Sequence, residues 1–344
     1  MRSKLTICVI TYNRGKRALE SVRSLLSVVK SNWSILVLDN GSVEETAEYK
    51  VIQALAEDHK SLSYKKHRVN LQVHGNFKAC FTYTDSQYIV IMSDEDYVNV
   101  DELESLLIDM DKVRNLGACR PSIAPHKDLV RPGNSFIYDD RTFTAGEQAF
   151  SNFTFVGNYV SGIVYNLDTI RQTRILEVFD QGLQSHKNYP HIYLDILVCS
   201  RLSVMTSSKT TVWEGKPEGT MIENGTLDVA KEHIGLYGYG ERVNQFLALR
   251  DAIGKGIDLA DTENEAQKVS LFINTYLRLV HKYFYLIFKV NISNYTRNAI
   301  DEDLLKLSFF YLVCSSLVSH PYIGSESTKE AVLTRVVELF QISP

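Results

Sequence analysis

The chain has 344 residues, of which 44% are hydrophobic and 23% are charged, so an ordinary globular core is expected. A formal net charge of −4 argues against a general nucleic-acid-binding protein, although not against a local basic patch. No apolar run reaches the roughly 18 residues that a membrane-spanning helix requires.

The first 110 residues alternate between short apolar runs and amphipathic stretches. Apolar runs rich in β-branched residues predict buried strands, and apolar residues spaced by three or four predict helices. The predicted strands are 5–10, 34–38, 62–65 and 88–92, and the predicted helices are 16–29, 43–58, 76–84 and 101–114. This alternation predicts an α/β fold with a parallel, doubly wound sheet and right-handed crossovers.

Polar residues follow three of these strands: Thr11-Tyr-Asn, Asp39-Asn-Gly-Ser and Ser93-Asp-Glu-Asp. The carboxyl ends of parallel strands lie at one edge of a sheet, where ligands bind in open α/β folds. The three carboxylates after the strand at 88–92 favour a Mg²⁺ or Mn²⁺ site. The alternative is a solvated acidic turn that precedes the next helix.

Two common nucleotide-binding motifs are missing. The first strand is followed neither by Gly-x-Gly-x-x-Gly nor by a phosphate loop that ends in Gly-Lys-Ser/Thr. A dinucleotide enzyme and a nucleoside triphosphatase are therefore disfavoured.

The middle of the chain is less regular. The segment 159–165 predicts a strand in which Ser161-Gly162 lets a ligand approach the backbone. A helix at 193–202, a short strand at 204–206 and a loop at 210–225 are predicted to follow.

From about residue 227 the pattern is helical, which predicts two regions, 1–226 and 227–344. The predicted helices lie near 230–253, 264–289, 301–319 and 328–341. The aromatic and basic stretch 271–289 predicts either an interior helix of this bundle or a helix that contacts a membrane surface or a partner.

The five scattered cysteines favour a reducing compartment, and the apolar start of the chain is too short for a signal peptide. We therefore expect a cytoplasmic protein, with peripheral contact at the inner face of the plasma membrane as an additional expectation.

Several segments resemble the family 2 glycosyltransferases, which have the GT-A fold. The resemblance rests on Val9-Ile-Thr-Tyr-Asn-Arg, Leu38-Asp-Asn-Gly-Ser, Asp94-Glu-Asp and Asn70-Leu-Gln, with Gln72 where glycine is usual. Together with Tyr159-Val-Ser-Gly-Ile-Val-Tyr, the pattern looks most like bacterial enzymes that build O-antigen or capsule polysaccharide, including abequosyltransferases. The fold that it implies is a GT-A, mostly parallel sheet flanked by helices, followed by a helical C-terminal region.

The resemblance implies a role for each matched residue. Asp96 would bind Mn²⁺ or Mg²⁺, with Asp94 as its partner toward the ribose, and Asp39 would hydrogen-bond the base or ribose. The remaining donor-binding residues would be Thr11, Tyr12, Asn13, Asn70, Ser161, Gly162, Trp213 and Lys216.

Inverting members of this family use a carboxylate base to deprotonate the acceptor hydroxyl. The family pattern implies Asp195 for this role, although Leu194 replaces the glutamate that usually precedes it. His191 is the alternative base.

The sequence thus predicts an inverting, metal-dependent glycosyltransferase for bacterial surface polysaccharide. Its partners would be a nucleotide-sugar donor, most often a UDP-sugar in this family, and a glycan or lipid-linked acceptor, with no nucleic acid. The alternative is a non-catalytic sugar-nucleotide or glycan-binding module in the same pathway. A nucleotidyltransferase of similar fold is disfavoured because no glycine-rich segment follows the first strand.

Overall fold

The computed structural model describes residues 2–125, 136–157, 159–215, 238–260, 264–290 and 301–342. The chain divides into two compact units, Met1–Gly219 and Thr220–Pro344. The boundary predicted at residue 226 lies outside the described residues, so its position stays a prediction.

The N-terminal unit is a central sheet flanked by helices. Its strands are β1 Leu5–Thr11, β2 Trp33–Asp39, β3 Leu62–Lys66, β4 Tyr88–Ser93, β5 Tyr97–Val98, β6 Leu116–Pro125, β7 Arg141–Phe143, β8 Val164–Asn166 and β9 Ser203–Glu214. Its helices are α1 Gly15–Val28, α2 Thr46–Asp58, α3 Gln72–Thr82, α4 Val100–Met110, α5 Glu147–Asn152, α6 Leu167–Arg171, α7 Ile175–Gly182 and α8 Pro190–Arg201. The strand order is β3-β2-β1-β4-β8-β6-β9-β5, with β7 paired to β9.

The first four strands form the predicted parallel half of the sheet, and the α/β fold class is confirmed. Strand β1 pairs in parallel with β2 and with β4, because a crossover helix follows each of the first three strands. Their apolar residues are buried almost completely, as expected for strands that are covered on both faces. The register sets Thr11 opposite Asp39 and Ile10 opposite Ser93, so the polar ends of these strands meet at one edge.

The second half of the sheet is mixed, and here the sequence predictions are partly wrong. Strand β8 lies antiparallel between β4 and β6, and of the predicted strand 159–165 only Val164 and Tyr165 belong to it. Gly162 adopts φ of +87° in a turn before the strand. The loop predicted from residue 210 is wrong at its start, because β9 continues to Glu214 along β6. The polar stretch that precedes Trp213 becomes a strand because it pairs with neighbours on both sides.

The C-terminal unit is helical, as predicted. Its helices are α9 Tyr239–Leu259, α10 Glu265–Tyr285, α11 Glu302–Val318 and α12 Glu326–Ile342. The Phe246 ring packs edge-on against Tyr276, Tyr283 and Phe309, with ring centroids 5.4–5.8 Å apart. Most aromatic residues of α10 are therefore interior, in agreement with the first of the two interpretations of 271–289, whereas Tyr285 is exposed. None of the helices in the described ranges is long and apolar enough to cross a bilayer.

Candidate active site

The candidate site lies at the carboxyl ends of β1, β2 and β4, which we call the strand-end rim. Thr11, the last residue of β1, is buried, and its hydroxyl lies 2.7 Å from the Tyr49 hydroxyl. Tyr12 follows with a ring that is 39% exposed. Tyr12 thus presents surface to solvent at the rim, and its role as a stacking surface for a nucleobase stays a prediction.

Asp39 ends β2 and is fully buried. Its Oδ1 accepts a hydrogen bond from Ser42 N–H at 2.8 Å, and its Oδ2 accepts one from the Tyr64 hydroxyl at 2.7 Å. The Lys66 ammonium lies 3.7 Å from the same Oδ2. These contacts hold the Asp39 carboxylate in one orientation and leave it lone pairs with which to accept a further donor.

Two predicted donor-binding asparagines shape the loops of the rim. Asn13 adopts φ of +53°, and its Oδ1 accepts hydrogen bonds from Val43 and Glu44 N–H at 2.9 and 3.2 Å. Asn70 Oδ1 accepts one from Asn40 Nδ2 at 2.9 Å. Both side chains therefore tie the β2–α2 loop to its neighbours, which is a structural role whether or not they also contact a donor.

The pattern that this chain resembles has glycine at position 72, and the backbone conformation at Gln72 gives a reason for it. Gln72 adopts φ of +59°, in the left-handed region that glycine favours. Its N–H donates to Asn70 Oδ1 at 2.7 Å. Gln72 thus occupies a backbone conformation that glycine adopts more readily.

The acidic triplet after β4, Asp94–Asp96, forms ion pairs with two arginines. Arg14 directly precedes α1, and Arg17 lies in α1. Arg14 Nη2 lies 3.2 Å from Asp94 Oδ1, and Arg14 Nη1 lies 2.8 Å from Glu95 Oε2. Arg17 Nη1 lies 3.2 Å from the same Glu95 oxygen. Burial raises the pKa of Glu95 to about 7, against the opposing charge of Arg14. The triplet is therefore a buried charge cluster rather than a solvated turn.

Asp96 is held differently. Its Oδ1 accepts hydrogen bonds from the Tyr159 hydroxyl at 2.7 Å and from Gly215 N–H at 2.9 Å. Its Oδ2 is buried and accepts no well-aligned hydrogen bond from the described residues. Burial raises the pKa of Asp96, which the nearby Ser161 hydroxyl and Gly215 N–H oppose. Asp96 thus has one fixed oxygen and one that is available to a ligand.

The fit to a divalent cation follows from that second oxygen. Among the described residues no three His, Cys, Asp or Glu side chains are grouped as a complete metal site. However, Mg²⁺ and similar cations are commonly held by one or two carboxylates together with substrate phosphates. Asp96 Oδ2, buried and without a well-aligned hydrogen bond from the described part of the chain, fits that mode of binding together with Asp94.

The chain after β9 reaches the triplet through a close backbone approach. A Cβ on Gly215 would lie 1.5 Å from Glu95 O, so only glycine fits at this position. The preceding residues lie in the strand, with Trp213 paired to Tyr97 of β5 and Glu214 buried. The predicted donor-binding Lys216 lies outside the described residues.

Ser161 and Gly162, in the segment before β8, contact the last residues of β4. Ser161 Oγ accepts a hydrogen bond from Ser93 N–H at 2.9 Å, and Gly162 N–H donates to Ile91 O at 3.0 Å. A Cβ on Gly162 would lie 2.9 Å from Val212 Cγ2. These two residues fix the end of β4, so their contribution to donor binding stays a prediction.

The two candidate bases lie in the interior, on α8. Asp195 is 1% exposed, forms an ion pair with Arg120, and accepts a hydrogen bond from the Tyr165 hydroxyl at 2.9 Å. His191, one turn earlier, is buried with its ring centroid 6.4 Å from that of Phe77. A general base must come within hydrogen-bond reach of its substrate. In this conformation neither side chain offers a surface that an acceptor hydroxyl reaches, so the catalytic role of both stays a prediction.

Sequence reasoning missed four residues that organise these carboxylates. Arg14 and Arg17 pair with the triplet, Tyr159 holds Asp96, and Arg120 pairs with Asp195. One signal was present, because the motif 159–165 begins and ends with the tyrosines that hydrogen-bond Asp96 and Asp195. Arg120 had no signal, since its segment was not predicted as a strand.

Comparisons with known proteins cover both the sequence and the fold. Residues 6–165, which are 160 of the 344 residues, match the model of glycosyl transferase family 2. No curated protein matches the chain significantly in sequence.

Among solved structures, residues 1–349 of TarS from S. aureus superpose with a TM-score of 0.60 at 12% identity, covering 99% of this chain and 92% of that one. The same region of TarS in complex with UDP-GlcNAc gives a TM-score of 0.59 at 13% identity, covering 98% and 89%. The mannosyltransferase PcManGT from Pyrobaculum calidifontis, in complex with GDP-Man and Mn²⁺, gives 0.51 at 12% identity, covering 100% and 82%. At these identities the similarity shows the fold, which is GT-A.

Proposed function

We propose that the protein is an inverting glycosyltransferase that moves a sugar from a nucleotide-diphosphate donor to an acceptor hydroxyl. One observation carries the proposal: Thr11, Asp39 and the Asp94–Asp96 triplet meet at one rim of the sheet. This rim lies within the segment that matches glycosyl transferase family 2. Structural neighbours of the same fold bind UDP, UDP-GlcNAc or GDP-Man, which supports a nucleotide sugar as donor.

In this proposal the nucleoside lies between β1 and β2. The exposed Tyr12 ring stacks on the base, since every base presents a flat face to an aromatic side chain. Asp39, already oriented by Ser42 and Tyr64, accepts a hydrogen bond from the base or the ribose. A UDP-sugar is the proposed donor, as the family resemblance implies.

The diphosphate lies at the acidic triplet. Asp96 Oδ2 and Asp94 would hold Mn²⁺ or Mg²⁺ there, and the neighbour with bound Mn²⁺ supports a divalent cation. When bound, such a cation neutralises the negative charge that develops on the leaving diphosphate. Tyr159 and Gly215 N–H keep the Asp96 carboxylate aligned for this role.

The acceptor hydroxyl requires a base. We propose Asp195 or His191, and access to either requires that the packing around α8 opens. Glu214 is a further carboxylate to test, because it is buried at the end of β9 and its charge contributes to the raised pKa of Tyr159 beside the rim.

Bacterial surface polysaccharide, such as O-antigen or capsule, is the proposed pathway, with a glycan or lipid-linked glycan as acceptor. The relation to abequosyltransferases and contact with the inner face of the plasma membrane are parts of this proposal. They rest on the sequence resemblance alone.

A second candidate function is a non-catalytic nucleotide-sugar-binding module. It is favoured by the burial of both candidate bases and by the ion pair between Asp195 and Arg120. The rim is the same in both candidates, so they differ in turnover and not in donor binding.

One experiment separates these candidates. Purified protein is mixed with UDP-GlcNAc, UDP-galactose or GDP-mannose, with and without Mn²⁺, and both the melting temperature and the release of nucleoside diphosphate are measured. A ligand that binds the folded state raises the melting temperature. Binding with release of diphosphate supports the transferase, and binding without release supports the module. A chain that neither binds nor hydrolyses any nucleotide sugar contradicts both.

A further inference from the structure

Arg14 links two carboxylates of the acidic triplet through one guanidinium. Its Nη2 contacts Asp94 at 3.2 Å, and its Nη1 contacts Glu95 at 2.8 Å. Asp94 has no exposed side-chain surface, whereas the Arg14 side chain is 28% exposed. The positive charge therefore covers the predicted cation ligand from the solvent side.

The position of Arg14 conflicts with simultaneous binding of a cation by Asp94. A guanidinium and a divalent cation repel each other strongly when both contact one buried carboxylate, because the local dielectric screens them poorly. The carboxylates in turn need a positive partner when the site is empty, since a buried, unpaired charge is costly. The two positive groups are thus alternatives for Asp94.

The main chain and side chain of Arg14 differ in how they are held. Its backbone N–H donates to the Tyr49 hydroxyl at 3.1 Å, and that hydroxyl also contacts Thr11. The backbone is thereby fixed at the start of α1. The side chain is long and 28% exposed, so its guanidinium is partly solvated while it pairs with Asp94 and Glu95.

We propose that Arg14 is a positioning residue that holds Asp94 while the site lacks a cation and releases it when a divalent cation binds. This inference rests on the proposed function, because it takes Asp94 and Asp96 as the cation site. It adds that cation affinity is reduced by a competing guanidinium, and that the displaced Arg14 guanidinium contacts the donor diphosphate.

The neighbouring arginine provides a matched control. Arg17 has nearly the same exposure as Arg14, 27%, and its ion pair with the triplet is to Glu95 at 3.2 Å. Replacement of either arginine removes one positive charge from the cluster, but Arg14→Gln also removes the contact with Asp94.

The test measures Mn²⁺ affinity by calorimetry, without any nucleotide, for the wild type, Arg14→Gln, Arg14→Lys and Arg17→Gln. We expect Arg14→Gln to bind Mn²⁺ about tenfold more tightly than the wild type, because the substitution removes the ion pair that competes with the cation for Asp94. Arg14→Lys should be intermediate, and Arg17→Gln should change the affinity by less than about threefold. Melting temperatures report whether each variant folds. If Arg14→Gln does not fold, the Mn²⁺ affinity of Arg14→Lys still tests the inference.

A second measurement uses UDP and uridine in the presence of Mn²⁺. Arg14→Gln should weaken UDP binding and leave uridine binding unchanged, because the displaced guanidinium would contact the diphosphate. Equal Mn²⁺ affinities for the wild type and both Arg14 variants, or equal effects of Arg14→Gln and Arg17→Gln, overturn this inference alone. A wild type that binds neither Mn²⁺ nor UDP overturns the proposed function with it.

Discussion

Two carboxylate–arginine clusters in the N-terminal unit use the same groups in opposite ways. At the strand-end rim, Asp94 pairs with Arg14, whose side chain is 28% exposed. In the interior, Asp195 pairs with Arg120, whose side chain is 4% exposed. Both neighbourhoods also contain a tyrosine that donates to a carboxylate, Tyr159 at the rim and Tyr165 inside.

The difference lies in what happens when a ligand approaches. The rim arginine reaches water, so it is able to leave its carboxylate at a cost that solvation partly offsets. Arg120 is 3% exposed and lies over the Phe153 ring, with its guanidinium carbon 5.4 Å from the ring centroid, so its charge is far less solvated than that of Arg14. We infer that the first cluster serves binding and that the second, in this conformation, stabilises the fold. The following predictions test this contrast and, with it, the proposed role of Asp195 as the base.

The largest effect on stability is expected for Asp195→Ala. Removal of this carboxylate leaves the buried Arg120 charge without its partner, which costs about 3–5 kcal/mol of unfolding free energy. Urea unfolding followed by circular dichroism measures the loss. The control is Asp168→Ala, which breaks an exposed ion pair with Arg2 and should cost less than about 1 kcal/mol. If Asp195→Ala unfolds like the wild type but loses transfer activity, Asp195 is the base and not a structural partner.

The largest effect on activity is expected for Asp96→Ala. The substitution removes the carboxylate that would hold the cation, and we expect at least about a 100-fold loss of transfer or donor hydrolysis. Its effect on stability should be smaller than that of Asp195→Ala, because the groups that lose a partner, Tyr159 and Gly215 N–H, are neutral. Full activity of Asp96→Ala with several sugar nucleotides would contradict the proposed site.

The two tyrosines provide a matched pair of smaller effects. Tyr165→Phe should lower the unfolding free energy by about 1–3 kcal/mol, since it removes a buried hydrogen bond to a charged group. Tyr159→Phe should lower it less and instead weaken Mn²⁺ affinity by about tenfold or more, because the Asp96 carboxylate loses its orientation. Urea unfolding and calorimetry on both variants test the contrast. It is contradicted if the two substitutions change the unfolding free energy and the Mn²⁺ affinity to the same extent.

The smallest effect is expected for Lys66→Gln. This lysine is 43% exposed and lies 3.7 Å from Asp39, which already accepts hydrogen bonds from Ser42 and Tyr64. Because the Lys66 ammonium is partly solvated and the contact is long, we expect a loss of less than about 1 kcal/mol although Asp39 is buried. Urea unfolding at low and high salt measures the loss, and a decrease of more than about 2 kcal/mol would show that Asp39 depends on Lys66 for its charge.

The parallel half of the fold and the position of the rim could be predicted because both depend on local pattern. Apolar runs such as Tyr88–Met92 identify buried strands, and the polar residues that follow them must lie at one edge of a parallel sheet. The same reasoning placed the ends of β1, β2 and β4 at one edge, and the register sets Thr11 opposite Asp39 and Ile10 opposite Ser93. The helical C-terminal unit followed from its 3.6-residue periodicity.

Strands β5, β6 and β7 and the end of β9 could not be predicted, because their residues become strands through pairing with distant segments. β9 carries polar residues such as Ser207 and Thr211 that show no strand alternation, yet it pairs with β5, β6 and β7. Its end brings Gly215 to Asp96, 119 positions earlier in the chain.

By itself, the sequence determined which residues carry charge and which strand ends meet, since hydrophobic period and motif order are local properties. Only the tertiary structure decided which of these carboxylates are available to a ligand. Burial and counter-charge come from residues far apart in the chain: Arg14 on Asp94, Tyr159 on Asp96, and Arg120 on Asp195. The arginine of the proposed binding site, Arg14, is partly solvated, and Arg120 in the interior ion pair is not. No local pattern encodes this difference.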